Sequence, residues 1–312
     1  MDLPQYRSSF RQWETRSTVR NAPRREPGPL EAVDSFFFPP ELFPVLSAPA
    51  LGDLGDRIRQ QALLHALYQY LHFTTVLEQQ AVLPVTSLIS LGRAGVVLPA
   101  EMRADAFKIT TDEAWHAQFA YDFVRDLESV TGVPSDALVE PRFVQAVARL
   151  REEVEPGRRR LADLLFTTVS ETLVSQLLTD IPRDSRLPRP VRDVVADHAM
   201  DEGRHQTYFK RFLRELWVQL DAAERRFAGP LIPRLVEAFL APDLLSVEAI
   251  LLCSGVPSAL AEDALDQTFS TGRTAGALAA AARVTVRSFT EVGALEDPGT
   301  HAAFASSGLV SG

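Results

Sequence analysis

Cysteine is almost absent from this chain of 312 residues, which contains a single one, Cys253. A lone cysteine forms no internal disulfide, and its isolation excludes zinc sites built from several thiolates. Long apolar runs are missing too: the N-terminal segment has no continuous apolar stretch typical of a secretory signal, and no later run is long enough to span a bilayer. We therefore expect a cytoplasmic protein without membrane contact.

Lysine and arginine, 32 residues together, are fewer than the 41 aspartates and glutamates. The formal net charge of -9 at pH 7 disfavours a nucleic-acid partner, because such partners are attracted by a positive field. The arginines of residues 1–34 are the exception and make this segment locally basic. We interpret it as an N-terminal arm, either a docking segment or a solvated, loosely wrapped one.

Strand-like alternation and internal repeats are also lacking, and helical periodicity takes their place. Linkers that contain glycine or proline separate the long periodic segments. Long helices are predicted over residues 56–86, 101–129, 141–155, 158–180 and 192–219. With several shorter helices expected beyond residue 221, the sequence predicts an all-α protein.

Histidine is scarce, with six in the chain, yet two of them lie in the stretch DHAMDEGRH. His198, Glu202 and His205 are spaced by four and three residues, so on a helix they share one stripe. The stretch TDEAWH on an earlier predicted helix places Glu113 and His116 three apart, again on one face. Two Glu-x-x-His pairs on separate helices are half of the ferritin-like di-iron carboxylate arrangement.

The other half of that arrangement is one inward glutamate from each of two further helices. Glu78 interrupts the apolar run FTTVLEQQAVLPV, and Glu171 interrupts LLFTTVSETLVSQLL. Converging buried carboxylates need compensating charge, which two divalent cations would supply. Oxygen and imidazole ligands without thiolate suit iron or manganese better than structural zinc.

These observations predict a ferritin-like four-helix bundle core that holds two metal ions. The predicted organisation is a basic N-terminal arm over residues 1–34, a single ferritin-like helical domain over 35–300 with additional C-terminal helices, and a flexible tail over 301–312.

The segments LEQQ, TDEAWH, SETLVSQLL and HAMDEGRH resemble those of the AurF-like arylamine N-oxygenases. This family consists of ferritin-like di-iron enzymes that oxidise aryl amines to nitro compounds in antibiotic biosynthesis. A third histidine ligand sets it apart from other ferritin-like carboxylate enzymes, and His198 stands where that ligand is expected. The resemblance implies seven ligands to two iron ions: Glu78, Glu113, His116, Glu171, His198, Glu202 and His205.

The resemblance also implies an O2-dependent N-oxygenase that converts an amine to a hydroxylamine, nitroso or nitro product. O2 would be the co-substrate, and electrons would come from a reductase or a small redox carrier. Glu113 and one glutamate of a partner helix would bridge the irons, and the enzyme is expected to be a homodimer.

Residues adjacent to the expected ligands are candidates for supporting roles. Asp112, Asp197 and Asp201 would accept the free N–H of a ligand histidine from a neighbouring helix, or else be solvated surface acids. A substrate cavity for a small, flat, mostly apolar molecule is predicted beside the metals. Its predicted lining is Tyr70, Leu71, Thr75, Ala117, Ala120, Thr167, Thr168 and Ser175.

Other functions fit the same ligand pattern. The nearest is a ferritin-like di-iron oxygenase or oxidase that acts on carbon, by hydroxylation or desaturation, because only pocket shape separates the two. A radical-generating subunit would need a tyrosine near the irons, and Tyr121, five residues after His116, is the candidate. Iron storage and a metal-free helical scaffold are the remaining alternatives.

Overall fold

The computed structural model describes residues 5–28 and 36–311, apart from the side chains of 174–177 and 271–275. Within these ranges the chain is built from helices and contains no strand. The fold is all-α, as predicted, and is compatible with a ferritin-like helical bundle that carries extra helices. None of the helices in the described part of the chain is both long and apolar enough to cross a membrane.

The five long helices predicted from the sequence are all present, with ends that differ by a few residues. In chain order the α-helices are α1 (Trp13–Arg16), α2 (Thr18–Asn21), α3 (Asp56–Leu77), α4 (Leu83–Ser90), α5 (Ala100–Thr131), α6 (Arg142–Glu153), α7 (Arg159–Leu177), α8 (Arg189–Gln219), α9 (Ala222–Leu240), α10 (Leu244–Cys253), α11 (Ser258–Thr268), α12 (Thr271–Glu291) and α13 (Pro298–Ser306). A π-helix, Glu78–Val82, joins α3 to α4. Short 3-10 turns lie at Pro40–Leu42, Pro44–Ser47, Pro49–Leu51, Pro156–Arg158, Ile181–Arg183 and Ala294–Glu296.

Proline and glycine set the ends of the two helices that contain the Glu-x-x-His pairs. Pro99 precedes α5, and Gly132 ends it with a φ of 69°, a left-handed conformation that glycine adopts without steric cost. Pro188 precedes α8, where a missing N–H is harmless because the first turn has no intrahelical acceptor for it. Both helices therefore run unbroken through the middle of the molecule.

The interior is formed by α3, α5, α7 and α8, with α4 continuing α3. The side chains of Leu165 and Val169 on α7 are fully buried, as expected for a helix that is apolar on several faces. Helix α9 packs against α7 from outside, and α13 packs against α9. Helices α9 and α13 thus form further layers over α7.

The N-terminal arm differs from the expected solvated segment. Tyr6, Phe10, Trp13 and Thr18 are buried, and α2 contacts both α5 and α8. The interpretation as a loosely wrapped arm is wrong for residues 5–28, because its aromatic side chains anchor it in the groove between these helices.

The C-terminal segment is also packed, where a flexible tail was expected. Asp297 accepts a hydrogen bond from the Thr300 backbone N–H, and Pro298 follows it at the first helical position, which together begin α13. Phe304 and Leu309 are buried. The segment up to residue 311 therefore belongs to the folded domain.

Candidate metal centre

Seven acidic and imidazole side chains from the four central helical segments meet in the interior, and none is more than 3% exposed. They are Glu78 at the first residue of the π-helix, Glu113 and His116 on α5, Glu171 on α7, and His198, Glu202 and His205 on α8. These are the seven residues that the sequence analysis named as ligands. The structure places them in one cluster, and their role as ligands stays a prediction.

The cluster divides into two groups that share Glu113 and Glu202. Within each group, one nitrogen or oxygen atom of every residue lies within 4.8 Å of the others. The first group is Glu113, His116, His198 and Glu202, and the second is Glu113, Glu171, Glu202 and His205. Glu78 lies beside the first group, with its Oε1 3.8 Å from His198 Nε2.

His116 and His205 face the shared carboxylates through the same ring nitrogen. His116 Nδ1 is 2.7 Å from Glu113 Oε2, and His205 Nδ1 is 2.7 Å from Glu113 Oε1 and 3.2 Å from Glu202 Oε1. The two glutamates therefore lie between a histidine of α5 and a histidine of α8.

The second ring nitrogen of each histidine contacts an aspartate on the opposite helix. His116 Nε2 is 3.2 Å from Asp201 Oδ2, and His205 Nε2 is 3.2 Å from Asp112 Oδ2. A proton on Nε2 would be donated to the aspartate and would leave the Nδ1 lone pair for a metal. Asp197, the third aspartate considered, instead accepts a hydrogen bond of 2.6 Å from Arg25 Nε.

Several atoms of the cluster are buried without a hydrogen-bond partner among the residues that the structure describes. They are Glu78 Oε2, Glu113 Oε1, Glu171 Oε2, His198 Nε2 and Glu202 Oε2. Glu113 Oε1 is close to His205 Nδ1, but the two atoms are not oriented as donor and acceptor. Because buried polar atoms are nearly always paired, these lone pairs fit a site for divalent cations.

Proton affinities in the cluster reflect the crowding of charges. Burial, reinforced by the neighbouring carboxylates, raises the pKa of Glu78 and Glu171 well above the usual range. Burial would also raise the pKa of Glu202, but the positive charge of His205 and close contacts with His116 and His198 lower it well below the usual range. Burial opposes protonation of His116, yet Glu113 raises its pKa to about 10. Protons thus balance the carboxylates when no cation is bound.

Glu78 occupies a break in helical geometry. The backbone N–H of Leu83 donates to the Glu78 carbonyl, five residues back, which defines the π-turn. Pro84 has no N–H to donate to the Gln80 carbonyl, as a continuous α-helix would require. Helical register therefore changes at the glutamate itself, a feature that is common at functional sites.

A cavity of about 280 Å³ reaches the cluster at Glu78 and His198. Its walls come from α3, α8, α9 and the start of α10. The lining residues are Gln69, Tyr70, Phe73, Thr74, Leu77, Glu78, Leu178, His198, Phe239, Leu240, Asp243 and Ser246. The Tyr70 hydroxyl is buried there and has no hydrogen-bond partner among the described side chains.

Of the predicted pocket residues, Tyr70 lines this cavity, and most of the others lie between packed helices. Thr75 donates its hydroxyl proton to the Leu71 carbonyl and Thr168 to the Leu164 carbonyl. Thr167 donates to the Ala81 carbonyl and lines a second cavity, of about 370 Å³. Ala117 and Ala120 are buried on α5. The side chain of Ser175 lies outside the described residues.

The cavity follows a stripe of α3 that includes the predicted residue Tyr70 but not the predicted residues Leu71 and Thr75. Its α3 residues precede Glu78 by one, four, five, eight and nine positions, whereas Leu71 and Thr75 precede it by seven and three. The positions one, four, five, eight and nine before Glu78 share one face of the helix, and this spacing could have identified the lining residues from the sequence. The opposite wall, with Phe239 and Asp243, follows from a long-range contact that no local pattern reveals.

Tyr121 does not belong to the centre. Its side chain is 57% exposed on the outer face of α5, although it follows His116 by only five residues. Five positions on a helix correspond to a rotation of about 140° away from the histidine. The structure therefore gives no support to a tyrosyl radical at this position.

Comparison with known proteins shows similarity to one enzyme family. A family model described as P-aminobenzoate N-oxygenase AurF matches residues 12–293, a range that includes the entire cluster. A 4-aminobenzoate N-oxygenase from Streptomyces thioluteus is 26% identical over 231 residues, which are 71% of this chain and 67% of that relative.

Proposed function

The chain belongs to the AurF family and is an arylamine N-oxygenase, and we propose that it works through two iron ions held by the seven clustered side chains. An oxygenase acting on carbon is not favoured by the matches. The observation that carries the iron proposal is the pair of residue groups that share Glu113 and Glu202.

The geometry supports a specific division of the ligands. Glu113 and Glu202 would bridge, because both belong to both groups. Glu78, His116 and His198 would complete the first site, and Glu171 and His205 the second. Carboxylate oxygen and imidazole ligands of this kind suit iron or manganese. Four glutamates and two divalent cations would also leave the interior nearly neutral.

When bound, the irons would supply the reduction and activation of O2. In the first oxidation, one oxygen atom enters an N–H bond of the amine to give a hydroxylamine, and the other leaves as water. An external reductase or small redox carrier supplies the two electrons, with two protons. Further oxidation at the same nitrogen would lead to nitroso and nitro products.

The chain's own contribution is to bind and orient the amine next to the centre. Phe73, Leu77 and Phe239 offer apolar contact to an aromatic ring in the cavity. The unpaired Tyr70 hydroxyl is available to donate a hydrogen bond to the substrate. Burial, with Glu202 and Glu78 nearby, raises the pKa of Tyr70, so the phenol keeps its proton.

The family resemblance also supports three broader proposals. They are a homodimeric assembly, a cytoplasmic location, and a place in natural-product biosynthesis, including antibiotic biosynthesis. Each follows from what is typical of AurF-like enzymes.

The proposal is tested by loading the protein with iron(II) without oxygen, counting the bound metal, and adding a reductant, an aryl amine and ¹⁸O2. We expect two irons per chain and ¹⁸O on the nitrogen of the product. Glu113→Gln should lose metal and product, whereas Glu101→Gln, on the exposed first turn of α5, should behave as the native protein does. Label on carbon, or full activity without iron, would contradict the proposal.

A further inference from the structure

The N-terminal segment, residues 6–25, lies over α5 and α8 and contacts several aspartates of these two helices. We name this segment the N-terminal strap. Four of these contacts are Tyr6 with Asp105, Trp13 with Asp112, Thr18 with Asp201 and Arg25 with Asp197. Two of these aspartates, Asp112 and Asp201, are the ones that contact histidines of the metal centre.

The first connection runs from Trp13 to His205. The Trp13 indole N–H donates to both oxygens of Asp112, at 2.8 and 2.9 Å. Asp112 Oδ2 is in turn 3.2 Å from His205 Nε2, and Asp112 and His205 are fully buried. Phe10 of the strap stacks on the His205 ring, with centroids 5.9 Å apart. The strap therefore holds both the edge and one face of this imidazole.

The second connection runs from Thr18 to His116. The Thr18 hydroxyl donates to Asp201 Oδ2 at 2.5 Å, and the Thr18 backbone N–H donates to the same oxygen at 3.2 Å. Asp201 Oδ2 is 3.2 Å from His116 Nε2, and the Arg204 guanidinium also contacts this carboxylate. In both connections a strap residue donates to an aspartate that contacts a histidine. The aspartate lies on α5 in the first connection and on α8 in the second.

We propose that Trp13 and Thr18 are positioning residues of the metal centre, which fix His205 and His116 through Asp112 and Asp201. The inference rests on the proposed function, because it presupposes that these histidines bind metal. An aspartate orients an imidazole only if its own carboxylate plane is fixed, and donors on its far side fix it. Without those donors, each buried carboxylate would be held less firmly and would leave its histidine less well oriented.

The strap also contains a matched control. The Tyr6 hydroxyl donates to Asp105 at 2.8 Å, and Asp105 pairs with Lys108 instead of a histidine of the cluster. Tyr6→Phe therefore removes a buried strap hydrogen bond to α5 without breaking a path to the centre. Any effect that is specific to Trp13 and Thr18 is thereby separated from a general loosening of the strap.

The test is titration of the metal-free full chain with cobalt(II), followed by visible absorption, with thermal unfolding of each metal-free variant as a check on folding. We expect the native chain to bind two cobalt ions. Trp13→Phe should weaken one of them, and Thr18→Val the other, by about 10- to 100-fold with altered absorption bands. Thr18→Ser, which keeps the hydroxyl, and Tyr6→Phe should bind both ions as the native chain does.

The outcomes are distinguishable. If the native chain binds two ions and both variants bind them with unchanged affinity and spectra, the strap has only a structural role and the proposal is overturned. If the native chain binds none, the metal centre is wrong and the strap proposal fails with it. If Trp13→Phe does not fold, the comparison of Thr18→Val with Thr18→Ser decides alone.

Discussion

Single ionisable groups in the centre carry protons that a metal ion would have to displace. Glu113 raises the pKa of His116 to about 10 despite its burial, and burial raises the pKa of Glu78 and Glu171. A ligand histidine must be neutral at Nδ1 and a ligand glutamate ionised, so metal binding releases protons at neutral pH.

Metal affinity should therefore rise with pH. Between pH 6 and 8 we expect the apparent affinity for iron(II) or cobalt(II) to increase about tenfold per pH unit for each proton released. Titration in weak buffer with an indicator dye counts those protons directly. An affinity that stays constant over this range would show that the histidines are already neutral in the metal-free protein.

The buried Tyr70 hydroxyl in the cavity has no hydrogen-bond partner in the part of the chain that the structure describes. If it donates to the substrate, Tyr70→Phe should weaken amine binding by about 1 kcal/mol, or roughly fivefold in KM. Iron content should not change, because Tyr70 is not among the clustered ligands. Tyr121→Phe, on the exposed face of α5, is the control, and equal KM values for the two variants would remove Tyr70 from substrate binding.

At the scale of helices, the features that could be predicted from the sequence are those set by local patterns, namely the long helices and the faces that their side chains share. Helices α5 and α8 follow from long 3.6-residue periodicity bounded by Pro99, Gly132 and Pro188. The seven clustered residues were predictable because glutamate is unusual in an apolar helix and each Glu-x-x-His pair must share a face.

What was not predictable depends on contacts between distant parts of the chain. The π-turn at Glu78 has no periodic signature, and Pro84 alone does not distinguish it from a kink. The strap is too short and irregular for periodicity to reveal it, so its arginines were more conspicuous than Trp13. The cavity wall at Phe239 and Asp243 exists only because α9 and α10 fold back over α3.

The contact between α9 and α13 depends on the absence of a side chain at Gly229. A Cβ atom there would overlap the Thr300 side chain. Gly229→Ala should therefore destabilise the protein by about 1–3 kcal/mol, as overpacking does elsewhere. Thermal or denaturant unfolding of the metal-free chain measures this.

Gly276, on α12, is the matched control because a Cβ there meets no neighbour within 4 Å. Gly276→Ala should raise stability by about 0.5–1 kcal/mol through helix propensity. If Gly229→Ala were equally stabilising, α13 would not be held against α9 in the way described.

At the scale of the whole molecule, negative charge predominates, and the wall of the cavity away from the proposed ligand Glu78 includes an aspartate. The chain has a net charge of -9, and the cavity is lined by Asp243. None of the described residues lining it is lysine or arginine. Asp243 accepts hydrogen bonds from the backbone N–H groups of Arg142 and Ser246.

A substrate carboxylate would therefore meet a carboxylate at this wall, whereas an uncharged or cationic ring substituent would not. We expect 4-aminobenzamide to bind more tightly than 4-aminobenzoate, the acid named for the Streptomyces thioluteus relative. Like charges at a partly desolvated wall oppose each other by about 1 kcal/mol or more, so the difference should be at least about fivefold.

Asp243→Asn removes the charge and keeps the cap of α10 through its amide oxygen, and it loses the hydrogen bond that Oδ2 accepts from the Arg142 backbone N–H. The variant should bind 4-aminobenzoate more tightly than the native protein does and leave 4-aminobenzamide nearly unchanged, as measured by competition during turnover. The preference for the amide should also shrink in high salt, since screening weakens the repulsion. If the native protein prefers the acid, a cation from outside the described lining must reach the cavity, and the field of the whole chain does not select the substrate.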